Sequence, residues 1–198
     1  MALQTSGAIS LNDIQTEFGG SNPIAISEYY GAAAGIPSSG TIDLADFYGA
    51  SAAPPDPVIT EGHTQYTTVG KLSFTYEMDG YTINADEVDV GFATTAIGSI
   101  SPSTYNGVTI EAAVYYNDNQ FNQNFVIIMQ GNRAKSFFST VTPQGGNTLT
   151  SASSTHSYTS SGNYTKWRWS ETVGNTAVLG AGMAAQWNGT GTSTITFT

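Results

Sequence analysis

From residue 58 to its end the chain alternates short half-apolar runs with turn-forming clusters, and none of that text carries a helical period. In "KLSFTYEM" the residues Leu72, Phe74, Tyr76 and Met78 fall on one face and polar residues on the other, as in a half-buried strand. "VDVGFAT", "VTIEAAVYY", "NFVIIMQ", "KSFFSTV" and "STITFT" read as further strands, and Asp79-Gly80 in "MDGYTIN" as a hairpin signal. Between them stand "SPSTYNG", "NDNQFNQN", "TPQGGN" and "SSGN", built from the residues that turns favour. Strands at roughly 8–12 residue spacing predict a mainly β fold, an antiparallel β-sandwich of about 7–9 strands or a barrel. "NFVIIMQ" lacks alternation, which predicts a central strand.

Composition narrows what such a fold can do. Only 10% of residues are charged, yet 39% are hydrophobic and 12% aromatic, enough to bury a core rather than stay disordered. The net charge is −10 with five Lys and Arg, too few for a basic stripe, so no nucleic-acid partner is expected. The same balance argues against attraction to anionic lipid. There is no Cys, hence no disulfide framework and no thiolate metal site. The start, "MALQTSGAISLND", lacks the pattern of a secretory signal, and no apolar run approaches the ~20 residues of a membrane span. No membrane insertion is expected.

The first fifty residues are written differently. Three phrases share one pattern: "ISLNDIQ" from Ile9, "IAISEYYG" from Ile24 and "IDLADFYG" from Ile42. Ser10 with Asp13, and Asp43 with Asp46, are spaced as capping boxes. Ile9 with Ile14, Ile24 with Tyr29 and Ile42 with Phe47 are spaced as hydrophobic staples. Gly19, Gly31 and Gly49 stand where a turn closes at positive φ. Each phrase therefore predicts a helix of one or two turns, the middle one weakest because Ala25 occupies its cap. "ASAAPPDP" follows, and its prolines predict a stiff connector. The expected organisation is an N-terminal segment over 1–50, a Pro-rich linker over 51–57 and a β-sandwich over 58–198. Short helices are marginal alone. The first segment either folds irregularly against the second half or completes its core on another protein. In the second reading Ile9, Leu11, Ile14, Ile24, Ile26, Ile42, Leu44 and Phe47 form the docking set.

"SGAISLNDIQTEFGGSNPIAISEYYG" and "GIPSSGTIDLADFYGAS" together resemble an N-terminal segment of phage virion structural proteins, tail and tail-fibre proteins of marine phages above all. The likeness spans about residues 5–51. "GSISPSTYNGVTI", "FVIIMQGNRAKSFFSTVTPQGG", "YTKWRWS" and the last strand, "GTGTSTITFT", are similar to β-domains of phage tail proteins. "ETVGNTAVLGAGMAAQWNG" is longer than the family's usual stretch and reads as an exposed loop. The resemblance implies a virion component, made in the host cytoplasm and assembled into the particle, with other virion structural proteins as partners. Its N-terminal part would seat it and its β-domain would project. Copies of the chain are expected to form a homo-oligomer. A host receptor or glycan adhesin and a capsid decoration or head-fibre protein are the alternatives.

The residues suited to chemistry are few. His63 and His156 stand in polar text, no G-x-S-x-G elbow exists, and both read as surface histidines. Asp86, Glu87 and Asp89 in "NADEVDVG" are close enough to collect a cation or serve as paired acids, but the rest of a Ca²⁺ loop is missing. No enzyme activity, metal or cofactor is expected. In "YTKWRWS" Trp167 and Trp169 share one strand face, while Tyr164, Lys166 and Arg168 share the other. The tryptophans suit a sandwich core, a receptor platform or a subunit contact. Trp187, in Gly-rich text, is expected to be exposed, and Phe121 tips the amide-rich "NDNQFNQN" as recognition loops do.

Overall fold

The structure, a computed structural model, describes residues 3–33, 35–50, 52, 56–68, 73–117 and 122–198. The chain forms two compact units, Met1–Pro55 and Asp56–Thr198. Of the Pro-rich stretch over 51–57, residues 51 and 53–55 lie outside the described residues. Its last two residues belong to the second unit: Ile195 N–H donates to Pro57 O at 3.1 Å and Thr196 Oγ1 to Asp56 Oδ2 at 2.8 Å.

In the first unit each phrase folds as a turn. Ser10 caps helix α1 (Leu11–Phe18): its Oγ accepts from Asp13 N–H at 3.2 Å, and Asp13 Oδ2 accepts from Ser10 N–H at 2.9 Å. The Ser10 side-chain bond, with the backbone bond behind it, holds the Asp13 carboxyl below its usual range. Asp43 caps a single 3-10 turn, Leu44–Phe47, by accepting from Ala45 N–H at 2.7 Å, and Asp46 accepts from Asp43 N–H at 2.9 Å. The middle 3-10 turn, Ile26–Tyr29, has half of this arrangement: Glu28 accepts from Ala25 N–H at 3.4 Å, while Ala25 has no acceptor to offer. Gly19, Gly31 and Gly49 follow at φ +77, +68 and +70.

Equivalent positions in the three phrases have equivalent fates. Ile14, Tyr29 and Phe47 converge, with Ile36 and Ala50, in one small core. Phe18, Tyr29 and Phe47 meet ring against ring at 6.0–6.1 Å between centroids, tilted or edge-on. Ile9, Ile24 and Ile42 lean on that core half-buried, as staples do. The ends of the unit meet, with Leu3 N–H donating to Ala50 O at 2.7 Å and Gly49 N–H to Gln4 O at 3.0 Å. The eight apolar residues expected to face a partner thus divide. Ile14 and Phe47 are fully buried in the unit's own core and leave that set. Ile9, Ile24, Ile26 and Ile42 pack partly against the same core. Leu11 and Leu44 are exposed, 37% and 38%, and Tyr48 joins them at 40%.

Among the described residues the second unit has twelve strands, all paired antiparallel: β1 (Val58–Thr60), β2 (Gly62–Thr67), β3 (Thr75–Thr82), β4 (Ser99–Ser101), β5 (Thr104–Tyr105), β6 (Val108–Asn117), β7 (Asn122–Gln130), β8 (Thr140–Pro143), β9 (Leu149–Thr150), β10 (Thr155–Thr159), β11 (Tyr164–Thr172) and β12 (Thr192–Phe197). Four have only two or three residues; the other eight match the expected 7–9. One sheet runs β4-β1-β12-β8-β9, the other β10-β11-β7-β6-β3-β2 with β5 beside β6. The sheets share a core: Ile59, Val141, Ile195 and Phe197 of the first pack with Ile110, Tyr115, Phe125, Ile127, Met129, Trp167 and Trp169 of the second. That is a β-sandwich.

The larger sheet is covered on its other face too. Met78, Val114, Tyr116, Val126 and Ile128 pack against Ala85, Val88, Phe92 and Ile97, with helix α2 (Ala85–Val88) among them. Burial on both faces is why "NFVIIMQ" shows no alternation: it is β7, between β6 and β11. A register shift between Ile110 and Ala112 marks a β-bulge at Glu111. Before it Val108 and Ile110 face the first core; after it Ala113 and Tyr115 do, and Ala112, Val114 and Tyr116 face the second.

Three expectations are corrected. Asp79-Gly80 makes no hairpin, since β3 runs straight through it. Gly80, at φ +123, is there for space: a Cβ would sit 2.5 Å from Ala113 O and 3.0 Å from the Trp187 ring. "VDVGFAT" is not a strand but the irregular end of the segment covering the second core, touching itself through a single Val90–Phe92 bridge. "KSFFSTV" becomes strand only at Thr140, after Phe138 has turned into the first core.

Candidate functional site

The residues expected to contact a receptor are mostly inside. Trp167 and Trp169 face the first core at 0% and 2% exposure, and their indole N–H groups donate to Lys135 O at 3.0 Å and Thr150 O at 2.9 Å. Trp187, expected in an exposed loop, is 1% exposed. The short helix α3 (Met183–Gln186) folds its stretch back onto the sandwich, so that the Trp187 ring stands edge-on to Phe125 at 5.3 Å and donates to Gln144 O at 3.0 Å. Burial with satisfied N–H groups is how core tryptophans are held, and none of the three rings is exposed as a receptor platform would be. Phe121 lies outside the described residues.

Of the carboxylates of "NADEVDVG", Asp86 and Glu87 lie in α2, capped by Asn84, and Asp89 follows it at the C-cap. Lys166 Nζ donates to Glu87 O at 2.6 Å and Val88 O at 2.9 Å, and Arg168 to Val88 O at 3.2 Å, so two cations of β11 close the helix C-terminus. Burial, then the Arg168 charge, pushes the Lys166 ammonium below its ordinary value. Among the described residues no group of three or more His, Asp or Glu is placed to hold a metal ion. His156, on β10, faces Arg133 O at 3.1 Å and is 5.3 Å from the Trp167 ring.

His63 is the exception. On β2 it stands opposite Asp79 of β3, and its Nδ1 lies 2.7 Å from Asp79 Oδ1. Asp79 in turn stands opposite Tyr115, Tyr115 opposite Phe125, and Phe125 opposite Trp169. Two residues further along each strand, on the same face, the pairing runs Gln65, Glu77, Asn117, Gln123, Glu171. The core face of the larger sheet therefore ends in a row of five amides and carboxylates. Tyr115 OH reaches into that row and donates to Gln123 Oε1 at 2.8 Å. Glu171 Oε2 accepts from Val178 N–H at 2.9 Å, whereas its buried Oε1 has no partner among the described residues.

Over this end of the sheet lies a cavity of about 230 Å³. The strands supply His63, Glu77, Asp79, Tyr115 and Asn117; the α3 stretch supplies Ala184, Trp187 and Asn188. Buried Glu61 holds that second wall: its Oε2 accepts from Asn188 and Gly189 N–H, both at 3.0 Å, and its Oε1 from Ser193 Oγ. Gly189, at φ +77, must be glycine, because a Cβ there would lie 2.7 Å from Asp79 Oδ1. Burial raises the Asp79 carboxyl above its usual range, against the opposing hydrogen bond from His63. Burial and the Glu171 and Asp79 charges push the Tyr115 hydroxyl up to about 12. Among the described residues the lining carries no Ser, Thr, Cys or Lys beside the His63–Asp79 pair. It carries no Lys or Arg either, and is thus unsuited to anions. What it offers is hydrogen bonding, with donors and acceptors mixed.

The sequence concealed this site because its parts are distant along the chain. The trace it leaves is polar residues two apart, His63 with Gln65 and Glu77 with Asp79, in text that otherwise alternates with aromatics. Comparison with family models, with curated proteins and with solved structures finds no match.

Proposed function

We propose that the chain is a non-enzymatic structural protein of a phage virion, a tail, tail-fibre or tail-tip component seated by its N-terminal unit. The observation that supports this reading most is the division of labour inside that unit. Its stapled turns hold a core of their own, and the leading residues of two turns, Leu11 and Leu44, stay exposed with Tyr48. Burying such a side chain contributes roughly 1.5–3 kcal/mol, so three of them on a rigid unit make a useful anchor. The sequence resemblance over residues 5–51 supplies the kind of partner, a neighbouring virion protein.

Deleting residues 1–50 tests the proposal. Expressed with the other structural proteins of its particle, the truncated chain should stay folded and be missing from assembled particles. Incorporation at normal occupancy overturns it.

A further inference from the structure

The polar cavity at the end of the larger sheet has no part in docking through the N-terminal unit. We infer that it is a binding site for one neutral sugar residue, such as the terminal unit of a glycan. Four observations select that chemistry. Five of its eight lining residues, His63, Glu77, Asp79, Asn117 and Asn188, are polar or charged, which disfavours a wholly apolar ligand. It holds Glu77 and Asp79 and, among the described residues, no Lys or Arg, which disfavours phosphate, sulfate and acidic sugars. It mixes acceptors with donors: the His63 ring and the amides of Asn117 and Asn188, the latter with one N–H already given to Ala185 O, stand beside the carboxylates. A sugar hydroxyl both donates and accepts and uses such a mixture, whereas an ammonium group can use only the acceptors. The volume, about 230 Å³, limits the occupant to a small ligand.

The arrangement is also prebuilt. The Glu77 carboxylate accepts no hydrogen bond from the described residues, forms no ion pair with them and remains available at the wall. Asp79 is fixed by His63, and the facing wall is fixed by Glu61 and by the Trp187–Gln144 bond. A ligand therefore meets groups that need little ordering, which is where affinity is otherwise lost. Trp187 forms wall and not a stacking platform, since its ring is covered.

Titration of the full chain with glucose, galactose, mannose and N-acetylglucosamine, followed by tryptophan fluorescence and by amide shifts around Trp187 and Asn188, tests the inference. At least one neutral sugar should bind saturably. Glucuronate and inorganic sulfate should bind at least tenfold more weakly, and ethylammonium no better than they do. Glu77→Ala should lower the sugar affinity tenfold or more with an unchanged thermal melt, while Leu11→Asp should leave it as it was. Absence of saturable binding by every neutral sugar overturns the inference. So does preference for the anions or the ammonium ion, or affinity unchanged in both Glu77→Ala and Asp79→Asn. None of these outcomes touches the docking proposal, which is read from particle incorporation.

Discussion

The two units reach a fold by opposite routes. In Met1–Pro55 the decisive contacts are two to five residues apart: a returning carboxylate and a staple used three times, with a side-chain cap in two of the three, around one core of five buried residues. In Asp56–Thr198 they are distant, since β1 pairs with β12 and two larger cores face the two sides of one sheet. The first unit has locally specified turns and little buried area; the second has weak local signals and abundant burial. Small units bury a smaller share of their surface and have less stability to lose.

The largest effect should therefore come from Phe47→Ala. Removing a buried Phe costs about 3–5 kcal/mol, comparable with the whole stability expected of so small a unit. Amide signals of residues 3–50 should collapse to unfolded positions while those of the sandwich persist; coupled loss of both sets breaks the comparison. Next is Gly80→Ala, which places a Cβ 2.5 Å from Ala113 O at φ +123. A loss of about 1–3 kcal/mol, confined to the sandwich transition in urea, is expected.

The caps sharpen the contrast further. Ser10→Ala and Asp43→Ala should each destabilise the first unit by about 1 kcal/mol, and Ala25→Ser should stabilise it by about 0.5–1 kcal/mol by supplying the missing acceptor. Hydrogen exchange within residues 3–50 reads all three. The smallest effect is on pH dependence. Burial, with Glu87 nearby, raises the Glu111 carboxyl above its ordinary 4.5. An acid that holds its proton more tightly when folded favours the fold at low pH, and that contribution is lost as pH rises through the raised value. Glu111→Gln should accordingly make the fall in sandwich stability above pH 4.5 shallower, as measured by urea midpoints at several pH values.

What was legible in the sequence follows the same division. The caps at Ser10 and Asp43, the vacant one at Ala25, the staples and the closing glycines all stand as the spacing predicts, because each is decided within one turn. The opposed faces of β11 and the central place of β7 were legible too, since strand alternation is local. Trp187 was not. Its Gly-rich surroundings read as loop, and its burial depends on Phe125 and Gln144, which lie far off in sequence. Gly80 read as a turn for the same reason: the neighbours that demand a missing Cβ, Ala113 and Trp187, arrive from other elements. The polar cavity exists only once β2, β3 and β6 are in register and the α3 stretch lies over them. The self-contained core of the first unit was missed because Tyr29, Ile36 and Phe47 close it only when all three turns meet.

The central claim is that the N-terminal unit folds by itself and seats the protein through the side chains left outside its core. It is tested most directly by Leu11→Asp, Leu44→Asp and Tyr48→Asp combined in the full chain and assayed for incorporation into particles. The account predicts amide signals of residues 3–50 dispersed as in the parent, an unchanged sandwich, and incorporation reduced at least tenfold. A folded triple variant that enters particles at the parent's occupancy would contradict it.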